Sequence, residues 1–255
     1  MHTDKNSPHP TPVFFVLSGS ICVRPWLLFV LFCLVAPSTW LAREPDVVSS
    51  RYAASDFPLT AKPEAGQWKG APAVFAENGP RNEPVPGHRT EIRSRWTHDN
   101  LYFLFICPYL ELNLKPNPSQ NAETNQLWNW DVAEVFVGSD FEHITRYKEF
   151  EVSPQGEWVD LDIDLDAPRH EDGWRWNSGF QAASRIDLAA KIWYAFMRIP
   201  YEAVDRRPAR AGNGFRINLF RSQGAEPNHK LIVWQPTKRP SFHVPDVFGE
   251  LRLVD

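Results

Sequence analysis

From about residue 50 onward the chain never sustains a helical apolar period for more than a turn or two. Short runs rich in β-branched and aromatic residues recur instead, separated by turn-forming residues, and that pattern restricts the fold to sheets. Residues 90–96 lead through His98-Asp99-Asn100 into residues 101–107, a hairpin whose second arm is apolar throughout and therefore central. Runs at 132–137, 147–152, 157–165, 180–186, 192–199, 215–220, 231–234 and 251–254 follow. About ten strands at this spacing predict an all-β fold, an antiparallel immunoglobulin-like or jelly-roll-like β-sandwich. The one helix-like piece is 201–206, opened by Pro200 and closed before Pro208. The 23 prolines against 13 glycines agree with a loop-rich β protein, and 43% hydrophobic with 23% charged residues marks a globular one. A net charge of −4 without a Lys/Arg cluster argues against nucleic acid or an anionic membrane surface as partner.

The N-terminus reads as an export signal. Trp26 to Ala36, WLLFVLFCLVA, is an apolar core preceded by Arg24 and followed by Pro37-Ser38 after a small residue. Residues 1–38 are read as a signal peptide, with a membrane-retained signal anchor reaching from Val13 as the alternative, and residues 39–52 as a linker. The expected product is a secreted, periplasmic or cell-surface monomer that touches a membrane only if the signal is retained. Cleavage near Ser38 removes Cys22 and Cys33 and leaves Cys107 alone, so the mature domain has no internal disulfide. Cys107 ends an apolar run and reads as a buried small hydrophobe rather than a nucleophile.

The stretch richest in chemistry is LWNWDVAEVFV, Leu127 to Val137. Aromatic faces beside fixed acceptors are what a sugar requires, because a pyranose packs C–H groups on indole while its hydroxyls need charged or amide partners. Trp128, Trp130, Asp131 and Glu134 offer both. A strand start with core tryptophans and an Asp131 that caps a turn gives the same letters.

Taken in order, RWTHDNLYFLF, LWNWDVAEVFV, YKEFEVSPQGEWVD, IWYAFMRIP, GFRINLFR and VWQPTKRPSFHVPDVFGELRL resemble the carbohydrate-binding module family 9 domain over residues 53–255. The resemblance implies a β-sandwich related to the DOMON-like sugar and haem binders, with a sugar slot at one end. It also implies non-catalytic binding of a terminal sugar between two tryptophans, in support of polysaccharide degradation or uptake. One of those tryptophans stands three residues before the Asp of a D-x-x-E motif, here Trp128 with Asp131 and Glu134. The other precedes a P-x-x-F-G, and Phe242 holds that place. Phenylalanine keeps a flat face but loses area and the indole N–H. Glu151 stands where the family's sugar binders carry an arginine donor, and a carboxylate cannot donate. The ligand set implied is therefore Trp128, Trp130, Asp131, Glu134, Glu151 and Phe242.

The run Asp160-Leu161-Asp162-Ile163-Asp164-Leu165-Asp166 puts four aspartates on one strand face, which reads as a solvated edge, with a calcium site as the alternative; no other cofactor is expected. Of Trp174 and Trp176, at least one is expected in the core, while Asn218 and Arg221 either reach the slot or anchor loops. Two functions of other classes compete. A glycoside hydrolase, or a protein associated with one, needs a pair of carboxylates across a cleft, and Asp131 and Glu134, three apart on a strand, face opposite ways. A DOMON-type haem-binding electron carrier needs axial Met and His ligands, and Met197, the one internal methionine of the mature chain, reads as core.

Overall fold

The computed structural model describes residues 47–255. The expected signal segment and the first part of the expected linker lie outside the described residues. The elements are β1 Val47–Tyr52, β2 Ala73–Ala76, β3 Thr90–Trp96, β4 Asn100–Pro108, β5 Val132–Gly138, β6 Arg146–Val152, β7 Trp158–Asp164, β8 Gln181–Asp187, β9 Ile192–Pro200, a single turn α1 Tyr201–Val204, β10 Gly214–Gln223, β11 Lys230–Val233 and β12 Gly249–Val254. The protein is all-β. All twelve strands belong to one sheet with the order β7-β6-β5-β10-β12-β1-β3-β4-β9-β8, β11 adding to β10 and β2 to β3.

The structure departs from the sequence reading in three places. The described end of the expected linker is strand β1, which lies between β12 and β3. It pairs in parallel with both, so the sheet is not antiparallel throughout. The strand count is twelve rather than ten. β1 carries little apolar signal because one of its two inward positions is Ser50, whose hydroxyl accepts a hydrogen bond from buried Ser94 Oγ at 2.9 Å.

The sheet is nearly closed. Phe103, Phe105, Trp193 and Met197 from β4 and β9 share one core with Val135, Val137, Phe150, Ile217, Leu219 and Leu251 from β5, β6, β10 and β12. The two ends of the strand order also meet. Ser184 Oγ of β8 donates to Ser153 O beyond β6 at 2.6 Å, and Phe180 stands edge-on to Phe150 at 5.2 Å. Each fully buried phenylalanine of this kind contributes about 1.5–3 kcal/mol.

β4 is apolar on both faces because both are covered. Leu101, Phe103, Phe105 and Cys107 enter the main core, while Tyr102 and Leu104 pack with Trp68 and Phe196 in a separate cluster. β5 is also buried on both sides. Its Ala133, Val135 and Val137 face the main core, and its Val132 and Phe136 join a second layer with Tyr147, Leu161, Ile163, Phe220 and Phe242. That second layer holds the cleft described next.

Candidate functional site

Alternation along four neighbouring strands builds the floor of one cleft. On β6, Phe150 and Val152 enter the core, which sends Tyr147, Glu149 and Glu151 to the opposite face. On β5 the same face carries Glu134 and Phe136, on β7 Leu161 and Ile163, and on β10 Phe220 and Ser222. The cavity above this floor measures about 560 Å³ and is lined by Trp128, Glu134, Phe136, Glu149, Leu161, Ile163, His170, Glu171, Ser222, His229, Phe242 and His243, among others. It lies across the sheet face, not at the strand ends.

The walls come from irregular segments. The 3₁₀ turn Leu127–Asn129 buries Leu127 completely and leaves Trp128 half-buried on the cleft's rim. Gln126, with φ of 61°, turns the chain into that position, a left-handed conformation that costs a non-glycine residue about 1 kcal/mol. Opposite, Phe242 lies flat on Phe220, with ring centroids 4.2 Å apart and planes 13° from parallel. Next to it, His243 Nδ1 is 2.7 Å from the Tyr147 hydroxyl, and its ring stands 4.7 Å from that of His170. Burial, followed by the neighbouring His170, pushes the His243 imidazole down to about 4, so it is neutral at physiological pH.

Three carboxylates meet at the floor, and two of them, Glu134 and Glu149, line it. Glu134 and Glu151 are direct cross-strand partners, Glu149 is two residues from Glu151 on the same face, and oxygens of all three lie within 4.8 Å of one another. Glu134 and Glu149 are 3% exposed and Glu151 is 0%. Among the described residues no base forms a salt bridge with any of them, and neither Glu151 oxygen has a hydrogen-bond donor. Desolvation first, and mutual repulsion second, lift Glu134 and Glu151 well above the carboxylate range. Burial raises Glu149 to about 7. The close approach of Glu149 and Glu151 becomes a hydrogen bond only when one of them holds a proton.

Of the six residues singled out from sequence, Trp128, Glu134 and Phe242 line this cavity, and Glu151 stands directly behind Glu134. Asp131 stands elsewhere. It is 0% exposed and accepts hydrogen bonds from Asn113 N at 3.0 Å, Gly224 N at 2.6 Å and the Gln223 amide, so it ties two loops to the start of β5. Burial raises its carboxyl to about 6 against those lowering contacts. Trp130 also lies off the cleft lining, half-buried, with Lys115 Nζ 5.8 Å from its ring.

The remaining candidates resolve into structural contacts. Buried Arg221 donates to Thr90 Oγ1 at 3.1 Å and to Gln223, on the core side of β10, while the Asn218 amide donates to Gln235 O at 3.0 Å and anchors the chain after β11. The aspartate run begins on β7, the terminal strand of the order, and ends two residues beyond it; each member has its own partner, and Asp160 is fully buried rather than solvated. Asp160 accepts from Ser178 N, Asp162 pairs with Lys148, Asp164 with Arg146, and Asp166 accepts from Thr145. Trp176 packs on the main core and Trp174 on the second layer. Cys107 is fully buried, its thiol pushed up to about 12 by desolvation, and Met197 is core.

Sequence reasoning missed Glu149, Phe136, His170 and His243. Two of these were within reach. In Tyr147-Lys148-Glu149-Phe150-Glu151 the period of two puts Glu149 on the face of Glu151, and in Val135-Phe136 it puts Phe136 on the face of Glu134.

Comparison with known proteins adds a family and a set of relatives. Residues 65–255 match the family described as carbohydrate family 9 binding domain-like. A curated relative, an "Extracellular protein" of Arthroderma benhamiae, is 25% identical over 192 residues, spanning 71% of this chain and 84% of its own. A carbohydrate binding module family 9 from Caldicellulosiruptor kristjanssonii, solved in complex with cellotriose, superposes with a TM-score of 0.59 at 12% identity, covering 82% of this chain and 94% of that one. The same organism's module in complex with glucose gives 0.56 at 12% identity, covering 80% and 95%. At such identities the structural likeness is one of fold.

Proposed function

This chain belongs to the carbohydrate family 9 binding domain-like proteins, and from that premise we propose that it binds carbohydrate in the cleft over β5, β6, β7 and β10. The binding is non-catalytic. The observation that carries the reading is the joint placement of Trp128, Phe242 and Glu134 around one cavity of about 560 Å³, inside the range of about 300–1,000 Å³ usual for small-ligand sites. Trp128 offers a half-exposed indole for the C–H face of a ring, and Glu134 offers oxygens to its hydroxyls. With Phe242 already seated on Phe220, the far wall is fixed before any ligand enters.

Support for the finer parts of this reading comes from different places. The relatives solved with cellotriose and glucose favour a gluco-configured terminal ring. The shared core of the nearly closed sheet favours a sandwich-type description of the fold. The extracellular relative and the apolar segment Trp26 to Ala36 favour export, with polysaccharide degradation or uptake as the setting.

A glycan array probed with the full chain, in parallel with calcium and with chelator, tests the function. Retention of one family of sugars, unchanged by chelator, is the expected result. An array without retention contradicts it.

A further inference from the structure

We infer that the cleft selects a sugar ring carrying a protonated amine, whose ammonium group sits over Glu134 and Glu149 with Glu151 behind them. This rests on the carbohydrate reading and narrows its ligand to a chemical class, an amino sugar with a free amine.

The argument starts from what the carboxylates lack. Ionising a buried carboxyl without a partner costs several kcal/mol, so such a group stays protonated until it is paired within the protein or by a cationic ligand. Here Glu151 is 0% exposed and neither of its oxygens receives a donor from outside the cluster, and one Glu149 oxygen is also without a donor. The cluster is not sealed within the core, because Glu134 and Glu149 line the open cleft. Among the described residues no lysine or arginine lines that cavity, so it offers a uronate or a sulfated sugar no permanent cation.

The shape of the missing partner follows from its surroundings. An ammonium group has three N–H donors, which matches three carboxylates with oxygens within 4.8 Å of one another. A calcium ion asks for six to eight oxygens. The neighbours of this cluster are instead apolar: Phe220 is the cross-strand partner of Glu134, and Phe136 the partner of Glu149. Phe136, with Trp128 and Phe242, lines the cavity and gives a sugar apolar contacts with aromatic faces near the cation, while Phe220 lies beneath Phe242.

Titration calorimetry of the full chain with three ligands of one ring size tests the inference: oligomers of glucosamine, oligomers of N-acetylglucosamine, and cellotriose. The free-amine oligomer is expected to bind about tenfold or more tightly than the other two, as a desolvated charge-assisted contact implies. Glu149→Gln and Glu151→Gln, each checked for folding by near-ultraviolet dichroism, should bring that ratio to about twofold or less. Should either variant fail to fold, Glu134→Gln serves in its place, and the wild-type ratio stands without any variant. Equal or tighter binding of the acetamide or hydroxyl sugar overturns the inference while leaving the carbohydrate reading intact. Absence of binding to every sugar overturns both. In a separate titration, calcium binding that Glu151→Gln abolishes would assign the carboxylates to a metal and also overturn the inference.

Discussion

Replacing Glu149 by glutamine should make the ligand-free protein more stable, and more so at higher pH. The carboxylate is buried beside Glu134 and Glu151. Glutamine has its volume, carries no charge, and brings an amide that can donate to either neighbour. The magnitude follows from its own displacement, the carboxyl being raised from 4.5 to about 7. One pH unit of such displacement is worth about 1.4 kcal/mol, so the cost of ionising this single group in the folded state is roughly 3 kcal/mol. The sign is that of a raised carboxyl. Below pH 4.5 both folded and unfolded states hold the proton and nothing is lost; as pH rises through 7 the unfolded chain has given it up and stability declines. The variant should therefore exceed the wild type by roughly 3 kcal/mol at pH 8 and by almost nothing at pH 4.5. In urea this is a midpoint shift of about 1 M, followed by tryptophan fluorescence with chelator present. His243 titrates in both proteins and cancels in the difference. A variant no more stable than the wild type at pH 8, or one whose gain is the same at both pH values, would refute the reasoning.

Three further outcomes follow. His243, pushed down from 6.5 to about 4, should show no imidazole titration by nuclear magnetic resonance above about pH 5; its contribution to stability is present above pH 6.5 and lost as pH falls through 4, and a titration near 6.5 would contradict its burial. Asp131→Ala should cost about 2–3 kcal/mol of folding stability through the lost anchors at Asn113 and Gly224 while leaving sugar affinity within about twofold, and lost affinity at unchanged stability would place Asp131 in the site instead. Phe242→Trp, a larger ring on the same stack over Phe220, should tighten sugar binding several-fold by calorimetry, and unchanged affinity would remove Phe242 from the wall.

Strong periodic signals carried most of the fold. Residues 101–107 read as central because they are apolar at every position, and β4 is indeed covered on both faces. Pro200 and Pro208 confined the helix to one turn, α1. β1 was hidden because its inward Ser50 satisfies itself through Ser94, a contact 44 residues away that no local pattern reveals. β2 was hidden by its length of four residues.

The site was legible in part for the same reason. Alternation separates Asp131 from Glu134, and the structure sends the first to a loop-anchoring network and the second to the cleft. Whether Asp131 touches ligand or backbone depends on Asn113, Gln223 and Gly224, brought up by loop closure. His170 joins His243 across 73 residues through the 3₁₀ segment His170–Arg175, again a tertiary fact. The Glu134–Glu149–Glu151 cluster needed only the β5–β6 register, which pairs Glu134 with Glu151.

The central claim is that a sugar ring lies against Trp128 in this cleft. The most direct measurement is calorimetric titration of the full chain and of Trp128→Ala with the tightest ligand from the array, alongside thermal melting of both proteins. Because Trp128 is half-buried on the rim, the variant should fold and melt near the wild type, while binding weakens by about 2 kcal/mol or more, roughly thirtyfold. Equal affinity of wild type and Trp128→Ala, with both proteins folded, would contradict the claim.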